Sequence, residues 1–100
     1  MSQLYQGDII KIEKIKHPIL VVSKDFFNTS NAIIGCPIIK DSFAGPLHIW
    51  LSTGVTEGYV QCEKLALLDL SIRGYTKIDR APLHDLINLL DAIQGIFEYV

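Results

Sequence analysis

The sequence predicts a mainly β domain: a small, strongly bent antiparallel sheet, or partly open barrel, with one C-terminal α-helix packed on it. Three observations support this prediction. Short β-branched apolar runs separated by turn residues fill the chain up to residue 80. The apolar period then changes from two to 3.6 once, near residue 80. The 100 residues and 11.2 kDa leave room for one domain only, residues 1–100.

The first half of the chain predicts three strands. Residues 8–14 alternate loosely between apolar and charged side chains, which is typical of a half-buried strand. Residues 19–22 are a short apolar run that suits a buried strand, and residues 25–31 form a polar connection. Residues 32–40 are a further β-branched run. Pro37 in this run indicates an edge position or a bulge, with a bend of the chain.

The second half predicts three more strands before the helix. Residues 41–46 are rich in turn formers and predict a loop. Residues 47–51 alternate as a strand, residues 58–62 form a short strand, and residues 75–78 form the last one. Residues 65–70 are apolar but too short to assign.

The C-terminal element is predicted as an amphipathic helix. It begins near Pro82, because the missing N–H of proline costs nothing in a first turn. Asp85 lies near the positive end of the helix dipole, where a carboxylate is favourable. The apolar side chains recur at three- and four-residue steps, and we expect them to face the core: Leu83, Leu86, Ile87, Leu90, Ile93 and Phe97.

Composition and charge exclude several classes of protein. Hydrophobic residues make up 49% and charged residues 20%, which is typical of a folded chain and not of a disordered one. The net charge of −2 does not indicate tight non-specific binding of nucleic acid, although a local basic groove remains compatible with it. No apolar run approaches the roughly 20 residues that span a bilayer, and the N-terminus lacks a secretory signal. We therefore expect a cytoplasmic protein with no membrane partner.

The two cysteines predict no disulfide framework. Cys36 and Cys62 both lie in apolar surroundings, so we expect buried free thiols in a reducing compartment. The sequence contains no CxxC or HxxxH spacing, so we expect no zinc or other metal site and no cofactor.

Five segments, in order over nearly the whole chain, resemble the PemK/MazF toxin family. They are Gly-Asp-Ile-Ile at 7–10, Pro-Ile-Leu-Val-Val-Ser-Lys-Asp-Phe-Phe-Asn at 18–28, Cys-Pro-Ile at 36–38, Gly-Tyr-Val-Gln-Cys-Glu at 58–63, and the C-terminal helix. The resemblance implies an SH3-like, partly open barrel (PemK/MazF/CcdB-like) and a homodimer. It also implies the toxin of a type II toxin–antitoxin module, with a cognate antitoxin as its partner. Such toxins cleave single-stranded RNA without metal.

The sequence departs from the family pattern where the chemistry is carried. In the family's reaction the 2′-hydroxyl attacks its own phosphate and leaves a cyclic phosphate, which requires a base, an acid and a cation. His17 stands where the resemblance implies arginine, and Ile39 stands where it implies threonine. Gln61 and Glu63 flank Cys62 where one branch of the family has arginine and aspartate. The permanent positive charge of arginine, its ability to donate two parallel hydrogen bonds, and the hydroxyl of threonine are therefore absent at these positions.

The candidate site is consequently built from other residues. His17 is a candidate catalytic acid or base, because an imidazole titrates at about 6.5; the alternative is an exposed residue at the start of a strand. Glu63 is a candidate general base, and the alternative is a surface carboxylate. Lys16, Lys40 and Gln61 are candidate contacts to nucleic acid. The alternative for the lysines is a solvated face of mixed charge, because nearby carboxylates offset them.

Two functions remain open. The first is a metal-independent endoribonuclease with an atypical or weakened site. The second is a catalytically silent, PemK/MazF-like binding protein that engages an antitoxin, a nucleic acid or another protein. Three aromatic residues, Phe26, Phe27 and Trp50, are candidates for stacking on RNA bases, and packing in the core or in a dimer is the alternative.

Overall fold

Seven antiparallel strands and two helices make up residues 3–98, which are the residues that the computed structural model describes. Their bounds are β1 (Asp8–Ile12), β2 (Ile19–Val21), α1 (Asp25–Asn28), β3 (Ala32–Ile39), β4 (His48–Ser52), β5 (Glu57–Gln61), β6 (Ala66–Asp69), β7 (Tyr75–Arg80) and α2 (Leu83–Ile96). The strands form one sheet in the order β4-β5-β3-β2-β1-β7, and β6 pairs with β3. Neither helix in this part of the chain is long and apolar enough to cross a bilayer.

The sheet is assembled on β3, which pairs with three other strands. Residues 35–37 pair with β2 on one edge. On the other edge, residues 32–35 pair with β6 and residues 38–39 pair with β5. A Cβ on Gly35, where β2 and β6 both pair, would lie 2.4 Å from Ile19 Cγ2, so no side chain fits there.

Pro37 lies in the middle of β3, a strand that has partners on both sides. Of the two predicted positions, an edge strand or a bulge, the edge strand is therefore wrong. The Ile38 N–H donates to the Pro18 carbonyl at 2.9 Å, so even-numbered residues of β3 turn their backbone polar groups towards β2. Pro37 therefore faces the opposite edge. On that edge the neighbour changes from β6, which pairs up to Gly35, to β5, which pairs from Ile38. The missing N–H of proline falls in this gap and costs no ladder hydrogen bond.

Apolar side chains cover one whole face of the sheet and, on the opposite face, the strands β1 and β2. One cluster lies between the sheet and α2 and includes Ile9 and Leu89. A second cluster covers the opposite face of β1 and β2 and includes Ile10, Ile12 and Leu70. Because both faces of β1 are covered, the predicted half-buried strand at residues 8–14 is wrong.

The buried face of α2 is narrower than the predicted stripe. Leu86, Leu89 and Ile93 are buried, and Leu90 is half-buried. Leu89 lies outside the predicted stripe but inside the core. Three members of the stripe are exposed instead, so a core position is wrong for them: Leu83 (70%), Ile87 (49%) and Phe97 (69%).

Two short elements were not predicted. The polar connection at residues 25–31 contains α1, and its Asn28 is buried, with Nδ2 donating to the carbonyls of Leu4 and Ser23 at 3.1 Å. The unassigned residues 65–70 contain β6, whose conformation is set by pairing with β3. Both elements are too short to show a recognisable periodicity of apolar residues.

Side chains, not a ladder, bring the two ends of the sheet together. The hydroxyl of Thr53, in the β4–β5 turn, donates to the carboxylate of Asp79 in β7. No strand pairing joins β4 to β7 within residues 3–98. Partial burial opposes ionisation of Asp79, but hydrogen bonds from Thr53, the Arg80 N–H and Thr56 outweigh it and lower the pKa of the carboxyl. The predicted partly open barrel with a C-terminal helix is confirmed.

A buried carboxylate ties β1 to β7. Asp8 is fully buried and accepts hydrogen bonds from the Tyr5 N–H at 2.8 Å and from Arg80 Nη1 at 2.8 Å. Lys77 Nζ lies 3.2 Å from the same carboxylate. Both cations are about half exposed, at 51% for Arg80 and 48% for Lys77, so the carboxylate alone is removed from water.

Candidate functional site

Three strands present a polar and aromatic surface on the side of the sheet that faces away from α2. In β3, β4 and β5 alternate residues enter the core beneath α2, so the residues between them point outward. The strand register places these outward residues side by side, since Tyr59 pairs with both Ile39 and Trp50, and Gln61 pairs with His48. This outer face is defined by Ile39, His48, Trp50, Tyr59 and Gln61.

His17 lies at the edge of the outer face. Because the Pro18 carbonyl accepts from the Ile38 N–H, the β2–β3 pairing extends past β2 and brings His17 beside Ile39. The two positions at which the resemblance implies arginine and threonine therefore adjoin each other. The His17 residue is half-buried, and its neighbour Ile39 offers methyl groups in place of a hydroxyl.

Glu63 follows β5 and bonds to a histidine that the sequence did not single out. His48 Nε2 lies 2.7 Å from Glu63 Oε2, and the Glu63 side chain is 38% exposed. The other ring nitrogen, His48 Nδ1, lies 3.2 Å from the Phe43 carbonyl oxygen. The Phe43 ring meets the imidazole edge-on, with the ring centroids 4.9 Å apart. A carboxylate, an imidazole and a carbonyl thus form one chain of contacts at the end of the outer face.

The hydrogen bond from His48 is the main cause that lowers the pKa of Glu63. The backbone N–H of Glu63 and the charge of Lys64 lower it further, against a small opposing effect of burial. Glu63 is therefore an ionised carboxylate at neutral pH, and an ionised carboxylate can accept a proton.

The two cysteines are buried free thiols, as predicted. Burial, followed by the charges nearby, raises the pKa of Cys36 to about 12 and that of Cys62 to about 11. Both thiols are protonated at neutral pH, so they pack in the core and supply no nucleophile. Residues 3–98 contain no group of three His, Cys, Asp or Glu side chains that could hold a metal ion.

Gln61 supports a loop over the outer face. Its side chain is 1% exposed, and Nε2 donates to Ser42 Oγ at 3.2 Å and to the Tyr59 carbonyl at 3.0 Å. Direct contact between Gln61 and nucleic acid, as predicted from its position, requires residues 41–46 to move.

The two candidate lysines lie at the edge beside His17. Lys40 follows Ile39, is exposed, and has its Nζ 3.3 Å from Glu57 Oε1. It borders a cleft of about 400 Å³ between the β4–β5 turn and β7. Lys16 precedes His17 and is exposed, with its carbonyl accepting from Lys11 Nζ at 2.8 Å. One lysine is thus ion-paired, and the other lies on the β1–β2 connection.

An aromatic pair occupies the centre of the outer face. Trp50 and Tyr59 meet edge-on with their ring centroids 5.0 Å apart, and Trp50 is 46% exposed. Phe26, on α1, is 79% exposed, and Phe27 is half-buried. Packing in the core is therefore wrong for Trp50 and Phe26, whereas base stacking and dimer packing stay predictions. The alternation of residues 47–51 already placed His48 on the same side of a strand as Trp50, which is the signal that could have found His48.

The family model for PemK-like, MazF-like toxins of type II toxin–antitoxin systems matches residues 5–97. No curated protein sequence matches significantly.

Several solved structures are similar over nearly their whole length. One is a crystal structure of MazE–MazF (Form-II) from Deinococcus radiodurans, at 17% identity and a TM-score of 0.88, with 100% of both chains covered. Another is an endoribonuclease from a mycobacterial species, at 14% identity and a TM-score of 0.83, covering 97% of this chain and 93% of that one. A third is a mycobacterial endoribonuclease in complex with its cognate antitoxin, at 13% identity and a TM-score of 0.81, with 94% of each chain covered.

At these identities the solved structures show a shared fold, and they agree with the order of strands and the C-terminal helix described above. The family model spans almost the entire chain, including the segments that form the outer face. The chain therefore belongs to the family of PemK-like, MazF-like toxins of type II toxin–antitoxin systems.

Proposed function

We propose that this toxin is a metal-independent endoribonuclease that cleaves single-stranded RNA at the outer face. The observation that carries the proposal is the ionised, partly exposed Glu63 carboxylate, fixed by His48 near the exposed Trp50 and the half-buried Tyr59. A positioned base is the first requirement for activating a 2′-hydroxyl. Membership of the toxin family and the likeness to two mycobacterial endoribonuclease structures support the same reaction.

The proposed reaction is an internal transesterification. Glu63 takes the proton of the 2′-hydroxyl, whose oxygen then bonds to the adjacent phosphorus. The bond from phosphorus to the 5′-oxygen breaks, and protonated His17 donates a proton to that leaving oxygen. The products are a 2′,3′-cyclic phosphate and a 5′-hydroxyl, so protons and charges balance without a metal.

His17 and Glu63 lie at different levels along the strands of the outer face. His17 borders β3 in register with Ile39 and, through it, with Tyr59, whereas Glu63 lies four residues beyond Tyr59. With strands about 4.8 Å apart and a rise of about 3.3 Å per residue, the two backbones are separated by roughly 10 Å across the strands and roughly 13 Å along them, or about 16 Å. One scissile phosphate can meet both groups when the two side chains extend towards each other. Lys16 and Lys40, beside His17, are proposed to attract the RNA backbone.

We also propose that the protein acts in the cytoplasm as a homodimer that a cognate antitoxin binds. One similar structure is of MazE with MazF, and another is of an endoribonuclease with its cognate antitoxin. Exposed apolar side chains on α2, such as Leu83 and Ile87, are available to be covered by a partner.

A second function, binding without cleavage, is favoured by the groups that lie beside His17. Lys40 is paired with Glu57, and Ile39 supplies no hydroxyl. Losing one donor to a transition-state charge commonly costs a factor of about 10²–10³ in rate. A site that lacks two such donors is expected to cleave slowly or only to bind.

Single-turnover cleavage of fluorescent single-stranded RNAs, with a chelator present, separates the two functions. The wild type should produce cyclic-phosphate ends, and Glu63→Gln should slow cleavage by a factor of about 10²–10⁴, as expected on loss of a general base. Glu98→Gln, which changes an exposed glutamate beyond α2, is the matched control and should cleave like the wild type. Full activity of Glu63→Gln would place the base elsewhere. Absence of cleavage on varied RNAs would favour the binding function.

The pH dependence tests His17 separately. If protonated His17 is the acid, the rate of the wild type should fall on the alkaline side of its pH profile, and His17→Ala should abolish cleavage. The double variant His17→Arg with Ile39→Thr restores the family arrangement and should raise the rate. Robust cleavage by His17→Ala would remove this residue from the mechanism. Induction in a bacterial host, with primer extension on total RNA, should give growth arrest with discrete cleavage ends.

A further inference from the structure

We propose that His48 is a positioning residue, which holds the Glu63 carboxylate on the outer face in the orientation that receives the proton of the RNA 2′-hydroxyl. The inference rests on the proposed function, since it assigns a role to a residue that acts through the proposed base. It concerns a side chain in a different strand from Glu63, fifteen residues away in sequence.

The geometry holds the imidazole on three sides. The His48 side chain is 14% exposed. Its Nδ1 lies 3.2 Å from the Phe43 carbonyl oxygen, and its Nε2 lies 2.7 Å from Glu63 Oε2. The imidazole and the Phe43 ring also meet in an edge-to-face arrangement. Both partners of the ring nitrogens are oxygen acceptors. Both contacts are therefore hydrogen bonds only when the ring carries a proton on each nitrogen. His48 then donates to Glu63, and it is not itself a base in this arrangement.

A donor fixed in this way restricts a mobile carboxylate. A glutamate that is 38% exposed explores several rotamers in water, and exposed ion pairs contribute little to stability. Here the His48 imidazole is held by a backbone carbonyl and by an aromatic ring, so it donates to Glu63 in a single orientation. Bonding to Oε2 leaves Oε1 as the oxygen of this exposed side chain that can meet a substrate hydroxyl. Such alignment of a base is worth far more to a rate than to folding.

The groups that face Glu63 make His48 the main charged neighbour. They are His48 from β4, Lys64 next to Glu63, the buried thiol of Cys36 in β3, and the buried thiol of Cys62, which follows β5. Both thiols are neutral below pH 10, because their pKa values are about 12 and 11. Removing His48 should therefore raise the pKa of Glu63 towards its ordinary value. The carboxylate would then begin to lose its negative charge at a higher pH as the solution is acidified.

The test compares four variants by their single-turnover cleavage of single-stranded RNA from pH 3.5 to 8.5. His48→Ala should lower the rate by a factor of about 10–100, as for other residues that orient a reacting group, and should move the acidic limb of the pH profile to higher pH. His48→Gln keeps an N–H donor without charge and should recover part of the rate. Phe43→Ala keeps the imidazole but loosens it, and should cause a smaller loss. His84→Ala removes an exposed histidine of α2 and should change neither rate nor profile.

A carboxyl NMR titration of Glu63 provides a readout that does not depend on cleavage. The midpoint of Glu63 should shift to higher pH in His48→Ala and stay in place in His84→Ala. An unchanged midpoint, or a His48→Ala rate and acidic limb equal to those of a cleaving wild type, would overturn the positioning role alone. A wild type that cleaves no RNA would overturn the proposed function and this inference with it. If His48→Ala does not fold, His48→Gln and Phe43→Ala carry the same comparison.

Discussion

Replacing Asp8 with alanine is expected to lower the free energy of unfolding by about 2–4 kcal/mol. The carboxylate is fully buried and meets three donors: the Tyr5 N–H, the Arg80 guanidinium and the Lys77 ammonium. Its removal leaves the part-buried Tyr5 N–H without a partner, at a cost of up to about 1–3 kcal/mol. It also removes a charged hydrogen bond from Arg80 and an ion pair with Lys77.

The expected loss of stability is smaller than the largest losses seen for broken buried ion pairs, because the Asp8 carboxylate is buried but its two cationic partners are half-exposed. Removing one member of a fully buried pair costs about 3–5 kcal/mol, since the other charge is left in the interior. Here the remaining charges, on Arg80 and Lys77, are 51% and 48% exposed and can turn to water. Asp8→Asn keeps an oxygen for the Tyr5 N–H and should therefore cost less than Asp8→Ala.

Urea unfolding at pH 7 and at one fixed protein concentration measures the effect, because a homodimer would make the stability depend on concentration. In a domain of this size a loss of 2–4 kcal/mol corresponds to a fall in Tm of about 10–30 °C. Asp91→Ala, on the exposed side of α2, is the control and should stay within about 0.5 kcal/mol of the wild type. A loss below 1 kcal/mol for Asp8→Ala would refute the reasoning, and so would equal losses for Asp8→Ala and Asp8→Asn.

Three further predictions follow from burial and hydrogen bonding. Leu89→Ala should cost about 2–5 kcal/mol in urea unfolding, whereas Ile87→Ala, at a position 49% exposed, should cost clearly less; equal costs would contradict the assigned helix face. Because their pKa values are about 12 and 11, Cys36 and Cys62 should react with a thiol reagent at pH 8 only after denaturation, and rapid labelling of the native protein would argue against their burial. The folded-state pKa of Asp79 lies below its ordinary value, so its carboxylate stabilises the fold above the unfolded pKa and this contribution is lost as the pH falls through the folded pKa. Asp79→Asn should flatten that acidic loss in unfolding measured from pH 2 to 7, and an unchanged slope would count against the assignment.

The elements that could be predicted from the sequence are those long enough to carry a period. The alternation at residues 47–51 and the helical spacing after Pro82 are local signals, and both elements are present. α1 and β6 have four residues each, and β6 exists because residues 66–69 pair with β3. The width of the buried face of α2 also depends on what the helix meets, so periodicity alone did not distinguish Leu89 from Ile87.

In the candidate site, too, residues within a sequence motif could be predicted, whereas contacts between strands could not. Glu63 could be singled out because it stands in a motif beside Cys62. His48 could not be paired with it, because only the register of β4 on β5 brings the two side chains together. The burial of Gln61 depends on a loop, residues 41–46, that carries no pattern of its own. Contacts between strands are set by pairing, which a single sequence does not display.

The pairing of β1 with β7 has a consequence for how the chain acquires its fold during synthesis. β1 begins at Asp8, and the strand that completes its outer edge ends at Arg80, whose guanidinium also neutralises the buried carboxylate. Contacts of such long sequence separation form slowly, because the loop must close before they stabilise anything. A nascent chain that has not yet presented β7 holds β1 with an open edge and an unneutralised Asp8. The complete barrel therefore forms only after β7 has been synthesised.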